Sequence, residues 1–447
     1  MNYELLKAAI ENEAKTQGLT EYEIYYMANE ELSVDTLNKE PNSFSCGTSG
    51  GICFRVLYDG KIGYASSERM EESEMRALVS RAKANAVATE KTDTVGIYKG
   101  SESYAKLENS DFAPKSAAEL KKLTASLADE IYAYSDKVAP GTATYGMTAG
   151  FEVRLSNSHG LDLSTKCGIN AVQLGAVICD DGKYESAYDL KELKGEVDLK
   201  TLAAETVDKA IIKANAGNIT SGKYNVVLSA KQMRTILSAF VSNFSSKMAQ
   251  MGMSLLKGKE GEVIASEIVT ITDDPMREGV SIQTNFDAEG VAAFRKAVVE
   301  KGVLKTLLYN RETAANAGVE STGNASKGSY ASPVGISPYA FCLEAGDKTL
   351  DELFMMAENG IYITELKGLH AGANAVTGDF SIESAGFKIV DGKLGGAVKT
   401  FTIAGNFFEL LKSISALSNE VEVGVTGGFT TFGAPAVLIK EVSVAGK

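Results

Sequence analysis

Apolar positions in the first ninety residues switch between two periods. Leu5, Leu6, Ala9 and Ile10 recur at helical spacing up to a break at Gly18, and the runs 22–27 and 33–37 then read as strands. Two more strands, 52–58 and 62–65, flank Asp59-Gly60, a dipeptide suited to the positive backbone angles of a tight hairpin. A helix with Met75, Leu78, Val79 and Ala82 on one face closes the unit. The same order then recurs. Leu120, Leu123, Leu127 and Ile131 mark a helix, 143–155 and 161–167 read as strands, a hairpin turns at Asp181-Gly182, and Leu202, Val207, Ala210 and Ile211 mark a closing helix. The spacing predicts a duplicated helix, β-hairpin, helix unit over residues 1–90 and 115–217, together forming an N-terminal α+β domain, residues 1–220.

A short Gly, Asn, Ser and Thr stretch at 217–222 reads as the boundary, and residues 221–447 as the second domain. There the pattern predicts a strand at 224–228 and a long helix from about 230 to 251. Further strands follow at 267–271, 303–309, 360–365, 387–390 and 398–403. The expected class is α+β, with a largely antiparallel twisted sheet in this half. The long helix has one apolar face, formed by Met233, Ile236, Leu237, Phe240, Val241, Phe244, Met248 and Met251. Its other face is unusual: from Thr235 through Ser246 there is no charge, only Ser238, Ser242, Asn243, Ser245 and Ser246 for polarity. Such a face fits burial against a cavity, another subunit or close-packed backbone. A second uncharged stretch, 328–343, reads either as a cleft-lining loop or as a buried strand with turns. Asn406 stands before Phe407, Leu410, Leu411 and Ile414 as a helix N-cap.

Composition narrows the function. With 44% apolar and 23% charged residues the chain is an ordinary globular one, which removes disorder, collagen and coiled coil. No apolar run approaches the ~20 residues that span a bilayer, so no membrane partner is expected. The 45 basic against 58 acidic residues give −13, which repels phosphate backbones and argues against direct nucleic-acid binding. Glu4 lies where a signal peptide needs a basic region, and a cytoplasmic location is expected. The five cysteines contain no C-x-x-C pair. His159 and His370 are the only two histidines, too far apart for H-E-x-x-H or its longer relatives.

Few motifs carry chemistry. The densest constellation is Gly368-Leu369-His370-Ala371-Gly372-Ala373-Asn374, followed by Thr377-Gly378-Asp379-Phe380-Ser381. His370, Asp379 and Ser381 are the residue types of a hydrolytic triad, but no G-x-S-x-G elbow accompanies them, and a structural role is the expectation. Gly47-Thr48-Ser49-Gly50-Gly51 lacks the Lys and Ser or Thr of a phosphate-binding loop and reads as a hairpin connection.

Six strings taken together carry a resemblance. They are Asn285-Phe286-Asp287-Ala288-Glu289-Gly290, Gly302-Val303-Leu304-Lys305, Ser321-Thr322-Gly323-Asn324, Gly360-Ile361-Tyr362-Ile363-Thr364, Thr377-Gly378-Asp379-Phe380-Ser381 and Thr402-Ile403-Ala404-Gly405-Asn406. In this order the chain resembles the TldD/PmbA family, the so-called modulators of DNA gyrase. TldD-like members of that family carry H-E-x-x-x-H on a helix after a strand of the second domain. They are understood as zinc-dependent peptidases that act with a TldE-like partner. Two imidazoles hold the metal, which activates a water, and the glutamate takes its proton. In the present sequence Ser238, Ala239 and Asn243 stand where that motif is expected.

The resemblance therefore implies the TldE/PmbA branch. It implies a non-catalytic subunit with no catalytic residue, metal or cofactor of its own, zinc being expected on the partner. That partner is expected to be a TldD-like H-E-x-x-x-H paralogue in a heterodimer, or a second copy in a homodimer, with unfolded or small peptides as substrate. Peptide- or cavity-lining candidates are Ser238, Ser242, Asn243, Thr322, Gly323, Asn324, His370, Asn374, Thr377, Gly378, Asp379 and Ser381. Two alternatives stay open: a homodimeric peptide-binding or regulatory protein without peptidase activity, and an independent hydrolase using His370 or Cys342. The gyrase label establishes no contact with gyrase or DNA.

Overall fold

A computed structural model describes residues 3–107, 112–195, 197–425 and 430–447. The N-terminal half runs α1 (Tyr3–Thr16), β1 (Tyr22–Leu37), β2 (Glu40–Tyr58), β3 (Lys61–Ser67) and α2 (Glu72–Ala88). It repeats that order as α3 (Ala117–Tyr134), β4 (Ala143–Asn157), β5 (Asp162–Asp180), β6 (Lys183–Glu192) and α4 (Leu199–Ala214). The strands form one antiparallel sheet in the order β3-β2-β1-β4-β5-β6, with β1 and β4 side by side at its centre. Both short hairpins turn on the foreseen dipeptides, with φ of 50° at Asp59 and at Asp181. Side chains alternate across the sheet. Ile24, Phe54 and Val56 meet α1 and α2, and Val172, Leu174, Ala176 and Ile178 meet α3 and α4. The other face, carrying Tyr25, Met27, Cys53 and Leu155, packs on Phe286, Ala288 and Ala325 of the second half.

The central strands are longer than the hydrophobic pattern predicts. Runs 22–27 and 33–37 belong to a single strand, because Ala28 to Leu32 bond to Gly50 to Cys46 on one side and to Glu152 to Thr148 on the other. The expected hairpin connection at 47–51 lies instead inside β2.

The second half opens with β7 (Gly222–Leu228), α5 (Ala230–Phe240), a 3₁₀ turn (Val241–Phe244) and α6 (Ser246–Gln250). β8 (Ile271–Asp273), β9 (Lys296–Glu300), β10 (Val303–Leu304), α7 (Arg311–Ala317), β11 (Ala325–Ser326), β12 (Gly335–Ile336) and β13 (Ala340–Leu343) follow. Next come α8 (Leu350–Ala357), β14 (Gly360–Lys367), α9 (Leu369–Gly372), β15 (Asp379–Val390), β16 (Lys393–Asn406) and α10 (Phe407–Ser413). The chain ends with β17 (Ile414–Leu417), β18 (Glu422–Val425), β19 (Thr431–Ala434) and β20 (Val437–Ala445). Among the described residues there are two six-stranded sheets here, β16-β15-β14-β7-β20-β17 and β10-β9-β8-β13-β19-β18, beside the β11–β12 ribbon.

The α+β class holds, and the pairing in this half is largely antiparallel as expected. The strands form two sheets where one was expected, each with a single parallel pair, β14 with β7 and β13 with β19. The expected helix over 230–251 is broken. Leu308 N donates to Phe244 O at 2.8 Å and Ser246 N to Leu308 O at 3.0 Å, so a bridge to the neighbouring chain replaces the helical ladder there. Met251, counted in the apolar face, is consequently exposed. The strands expected at 267–271 and 303–309 shrink to β8 and β10, and the 328–343 stretch holds β12 and buried β13. Asn406 caps α10, accepting from Phe408 N at 3.0 Å. No helix among the described residues is long and apolar enough to cross a membrane.

Candidate functional site

Ser229 caps α5, its hydroxyl accepting from Gln232 N at 3.4 Å, and the apolar face then turns inward. Met233, Ile236, Leu237 and Phe240 are buried, and Phe240 stacks on Phe407 with ring centroids 4.7 Å apart. The uncharged side presents Ser238, Ala239 and Ser242 half-buried. Asn243, in the 3₁₀ turn, is fully buried; its Nδ2 donates to Phe240 O at 3.2 Å and to Ala375 O at 2.8 Å. Ser246 Oγ donates to Thr313 Oγ1 at 2.8 Å. The absence of charge on this side thus reflects close packing against neighbouring chain. Asn243 also ties the turn to the 368–381 segment. Asn243→Ala is expected to lose about 1–2 kcal/mol of stability and to speed amide exchange over 368–381, as read by hydrogen-exchange mass spectrometry.

That segment is a surface loop with internal order. His370 lies exposed on the single turn of α9. Asn374 Oδ1 accepts from Val376 N at 3.0 Å and Thr377 N at 3.3 Å, and Gly378 N donates to Asn374 O at 2.8 Å. Asp379 Oδ1 accepts from Asn406 Nδ2 at 3.0 Å, and that bond, with a second from Thr377, holds its carboxyl below the usual range. Gly378 is buried, whereas Asn374, Thr377, Asp379 and Ser381 are exposed. No hydrogen bond joins His370 to Asp379 or Ser381 among the described residues, and Asp379 is committed to Asn406. The triad geometry is absent. Cys342 is fully buried on β13, and burial pushes its thiol up to about 12, a poor nucleophile at neutral pH.

Thr322, Gly323 and Asn324 face inward. Thr322 Oγ1 accepts from Tyr309 N at 2.7 Å and donates to Asn324 Oδ1 at 2.7 Å. Gly323 has φ of 67°, and a Cβ there would come within 2.6 Å of Ala292 O. Asn324 Nδ2 donates to Asp273 Oδ2 at 2.7 Å and Ser337 O at 3.1 Å. Asp273 also accepts from Lys296 Nζ at 3.2 Å, Tyr339 N at 2.8 Å and Ala340 N at 3.2 Å. These loop residues are the walls of a buried polar network centred on Asp273. Sequence reasoning missed Asp273 and Lys296: each stands beside a like charge, Asp274 and Arg295, at the end of a short strand, so nothing in the local pattern marks it for burial.

The string at 285–290 joins the two halves. Asn285 Nδ2 donates to Ala105 O at 2.7 Å, and Tyr104 OH to Gly290 O at 2.6 Å. Asp287 is fully buried and accepts from Glu289 N, Val291 N and Ala325 N at 2.9–3.0 Å. Burial first, and then the neighbouring Glu289, push its carboxyl up to about 8 against those three donors. Burial also raises Glu289, although Arg311 N donates to it at 2.8 Å and Arg55 of β2 lies 4.0 Å away. Arg311 reaches back to Gly96 O at 2.9 Å.

Zinc is the group implied for the family, and the donor set here does not fit it. Ser238, Ala239 and Asn243 offer neither imidazole nor carboxylate, and no three His, Cys, Asp or Glu side chains among the described residues converge as metal ligands. His159 is occupied on the N-terminal sheet, its Nε2 lying 2.8 Å from Glu21 Oε2.

Comparison with known proteins agrees with the six strings. Residues 221–446 match the PmbA/TldA metallopeptidase C-terminal domain, and 22–86 match PmbA/TldA metallopeptidase domain 1. An uncharacterized protein of Methanocaldococcus jannaschii is 31% identical over 90% of this chain and 92% of its own length. Metalloprotease PmbA of Escherichia coli O157:H7 is 23% identical over 93% and 90%. Among solved structures, a Thermotoga maritima protein named for modulation of DNA gyrase superposes with a TM-score of 0.89 at 27% identity, covering 99% of this chain and 100% of that one. TldE from Thermococcus kodakarensis superposes at 0.83 and 23% identity, covering 98% and 100%. The chain belongs to the PmbA/TldD metallopeptidase family.

Proposed function

We propose that this chain is the TldE/PmbA-like, non-catalytic subunit of a metal-dependent peptidase, holding unfolded or small peptides for a zinc-bearing H-E-x-x-x-H paralogue. The observation that carries the reading is the chemistry of the α5 segment. A side chain that ligates or takes a proton must offer imidazole or carboxylate to the site. Here Ser238 and Ala239 offer neither, and Asn243 has turned its amide to Ala375 O at 2.8 Å. The scaffold of that helix, its capping by Ser229 and its packing on Phe407 are retained. The exposed Asn374, Thr377, Asp379 and Ser381, beside His370, are then the chain's contribution to a shared chamber, whereas Thr322, Gly323 and Asn324 support it from within. The matching order of elements in the two N-terminal units, each with its Asp-Gly hairpin, supports their origin by duplication.

The test is reconstitution. Co-expressed with a H-E-x-x-x-H paralogue from the same organism, the chain is expected to co-purify with it and to raise its cleavage of unfolded peptides at least ~tenfold, with chelator abolishing the activity. A paralogue whose activity is indifferent to this chain would sink the proposal. Stable self-association without affinity for the paralogue would favour a homodimeric binding protein.

A further inference from the structure

The apolar layer between the two halves is not fully closed. Where Met27 and Val153 of the N-terminal sheet face Phe286, Ala288 and Ala325 of the second half, a cavity of about 100 Å³ remains. Protein interiors hold few voids larger than a water molecule, and ligand sites at such junctions combine apolar walls with a few converging polar groups. Thr165 of β5 and Gln283 form one wall, joined by a bond of 3.3 Å from Thr165 Oγ1 to Gln283 O. Tyr25, Asp287, Lys327 and Tyr339 supply the polar lining.

Of these four, Asp287 is already satisfied. It accepts from three N–H groups, and burial, then Glu289, raise its carboxyl to about 8, so at neutral pH it is mostly uncharged and does not repel an anion. The other three are not satisfied. Tyr25 is 4% exposed, and among the described residues neither its hydroxyl nor that of Tyr339 makes a hydrogen bond; burial raises both phenols, so both keep a proton to donate. Lys327 is half-buried, with Nζ 4.7 Å from the centroid of the Tyr25 ring and beside the Cys53 thiol, and no Asp or Glu pairs with it among the described residues. Withdrawing a cation and two hydroxyls from water without an acceptor costs free energy, which an anion in the cavity would return.

We propose that this cavity binds a short aliphatic carboxylate, its alkyl group against Met27, Val153 and Phe286 and its carboxylate accepting from Lys327 Nζ and the Tyr25 and Tyr339 hydroxyls. The charge-assisted bonds fix orientation, and the small volume excludes aromatic and long alkyl groups. A free short-chain acid and the C-terminus of a peptide ending in Val or Leu share this chemistry. The site stands on the cavity and its unmatched donors alone; only the second of these sources rests on the function proposed above.

The experiment uses the full chain without any paralogue, so its outcome is independent of reconstitution. The chain is labelled with carbon-13 at its methionine methyls, 3-methylbutanoate is titrated, and the Met27 resonance, identified in Met27→Leu, is followed by NMR. A saturable shift with Kd of about 1 mM or below is expected, and 3-methylbutanamide, of the same shape without the charge, should bind about tenfold or more weaker. Lys327→Met is expected to weaken the acid about tenfold, and Tyr25→Phe about threefold. Tyr25→Phe removes a hydroxyl that no protein group uses, so without ligand its melting temperature should match that of the native chain, which separates a binding role from a structural one. The tripeptide Ala-Ala-Leu distinguishes the sources: binding with a free but not an amidated C-terminus assigns the site to peptide ends, and failure of both forms beside a binding acid assigns it to free acids. No saturable shift at Met27, equal binding of acid and amide, or native affinity in Lys327→Met would each overturn the proposal.

Discussion

Replacing Asp273 with alanine is expected to lower the unfolding free energy by about 3–5 kcal/mol, the largest single-residue effect outside the apolar core. The carboxylate sits at the end of β8 with no exposed surface and accepts four hydrogen bonds, from Lys296 Nζ, Asn324 Nδ2, Tyr339 N and Ala340 N. Its removal leaves an ammonium that is itself buried, with the Phe294 ring centroid 4.7 Å from Nζ. It also strands two main-chain donors at the start of β13. Denaturant titration measures the loss. Adding Lys296→Met to Asp273→Ala should recover part of it, because the uncompensated charge then disappears while the stranded N–H groups remain. A single variant that loses less than about 1 kcal/mol would show that water replaces the carboxylate.

Stability is expected to fall as pH rises from about 4 to 8, opposite to the usual behaviour of buried acids held by partners. The cause is Asp287, raised by burial and then by Glu289 to about 8 in the folded chain, against an ordinary carboxylate value of about 4 when unfolded. Below that window the group is protonated in both states and has no effect. Within it the unfolded chain has released the proton that the folded chain keeps, so unfolding is favoured by up to about 1.4 kcal/mol per pH unit. Above about 8 both states are ionised and the loss is complete. Glu289, also raised, acts in the same direction, opposed by Arg55 and Arg311 nearby. Urea midpoints taken at pH 5.5 and 8 test this. In Asp287→Asn the slope against pH should be shallower by about one proton; an unchanged slope would place the titration elsewhere.

What could be read from the sequence follows from what the hydrophobic period reports. α2, α3 and α4, both Asp-Gly hairpins and the cap of α10 each carry a local signal, and each lies where the pattern puts it. The middle of β1 carries Asn29, Glu30 and Glu31 and is held by ladders on both flanks, with little side-chain burial, so no apolar alternation marks it. The break after Phe240 depends on Leu308, distant in sequence, and no propensity in 230–251 announces it. The candidate site divides likewise. The uncharged face of α5 is a local signal of packing. By contrast, the inward turn of Thr322, Gly323 and Asn324 is dictated by Asp273, which comes from another strand.

The joint at 285–290 has a consequence for how the polypeptide behaves as a material. Arg55 of the first half lies 4.0 Å from Glu289 of the second, and Arg311 of the second reaches Gly96 O of the first at 2.9 Å, so both contacts cross the joint. Phe286 and Ala288 likewise finish an apolar layer begun by Tyr25 and Met27. Severed near position 220, each fragment would expose one side of an apolar layer and lose its ionic and hydrogen-bonded partners, so the two halves are expected to unfold in a single transition.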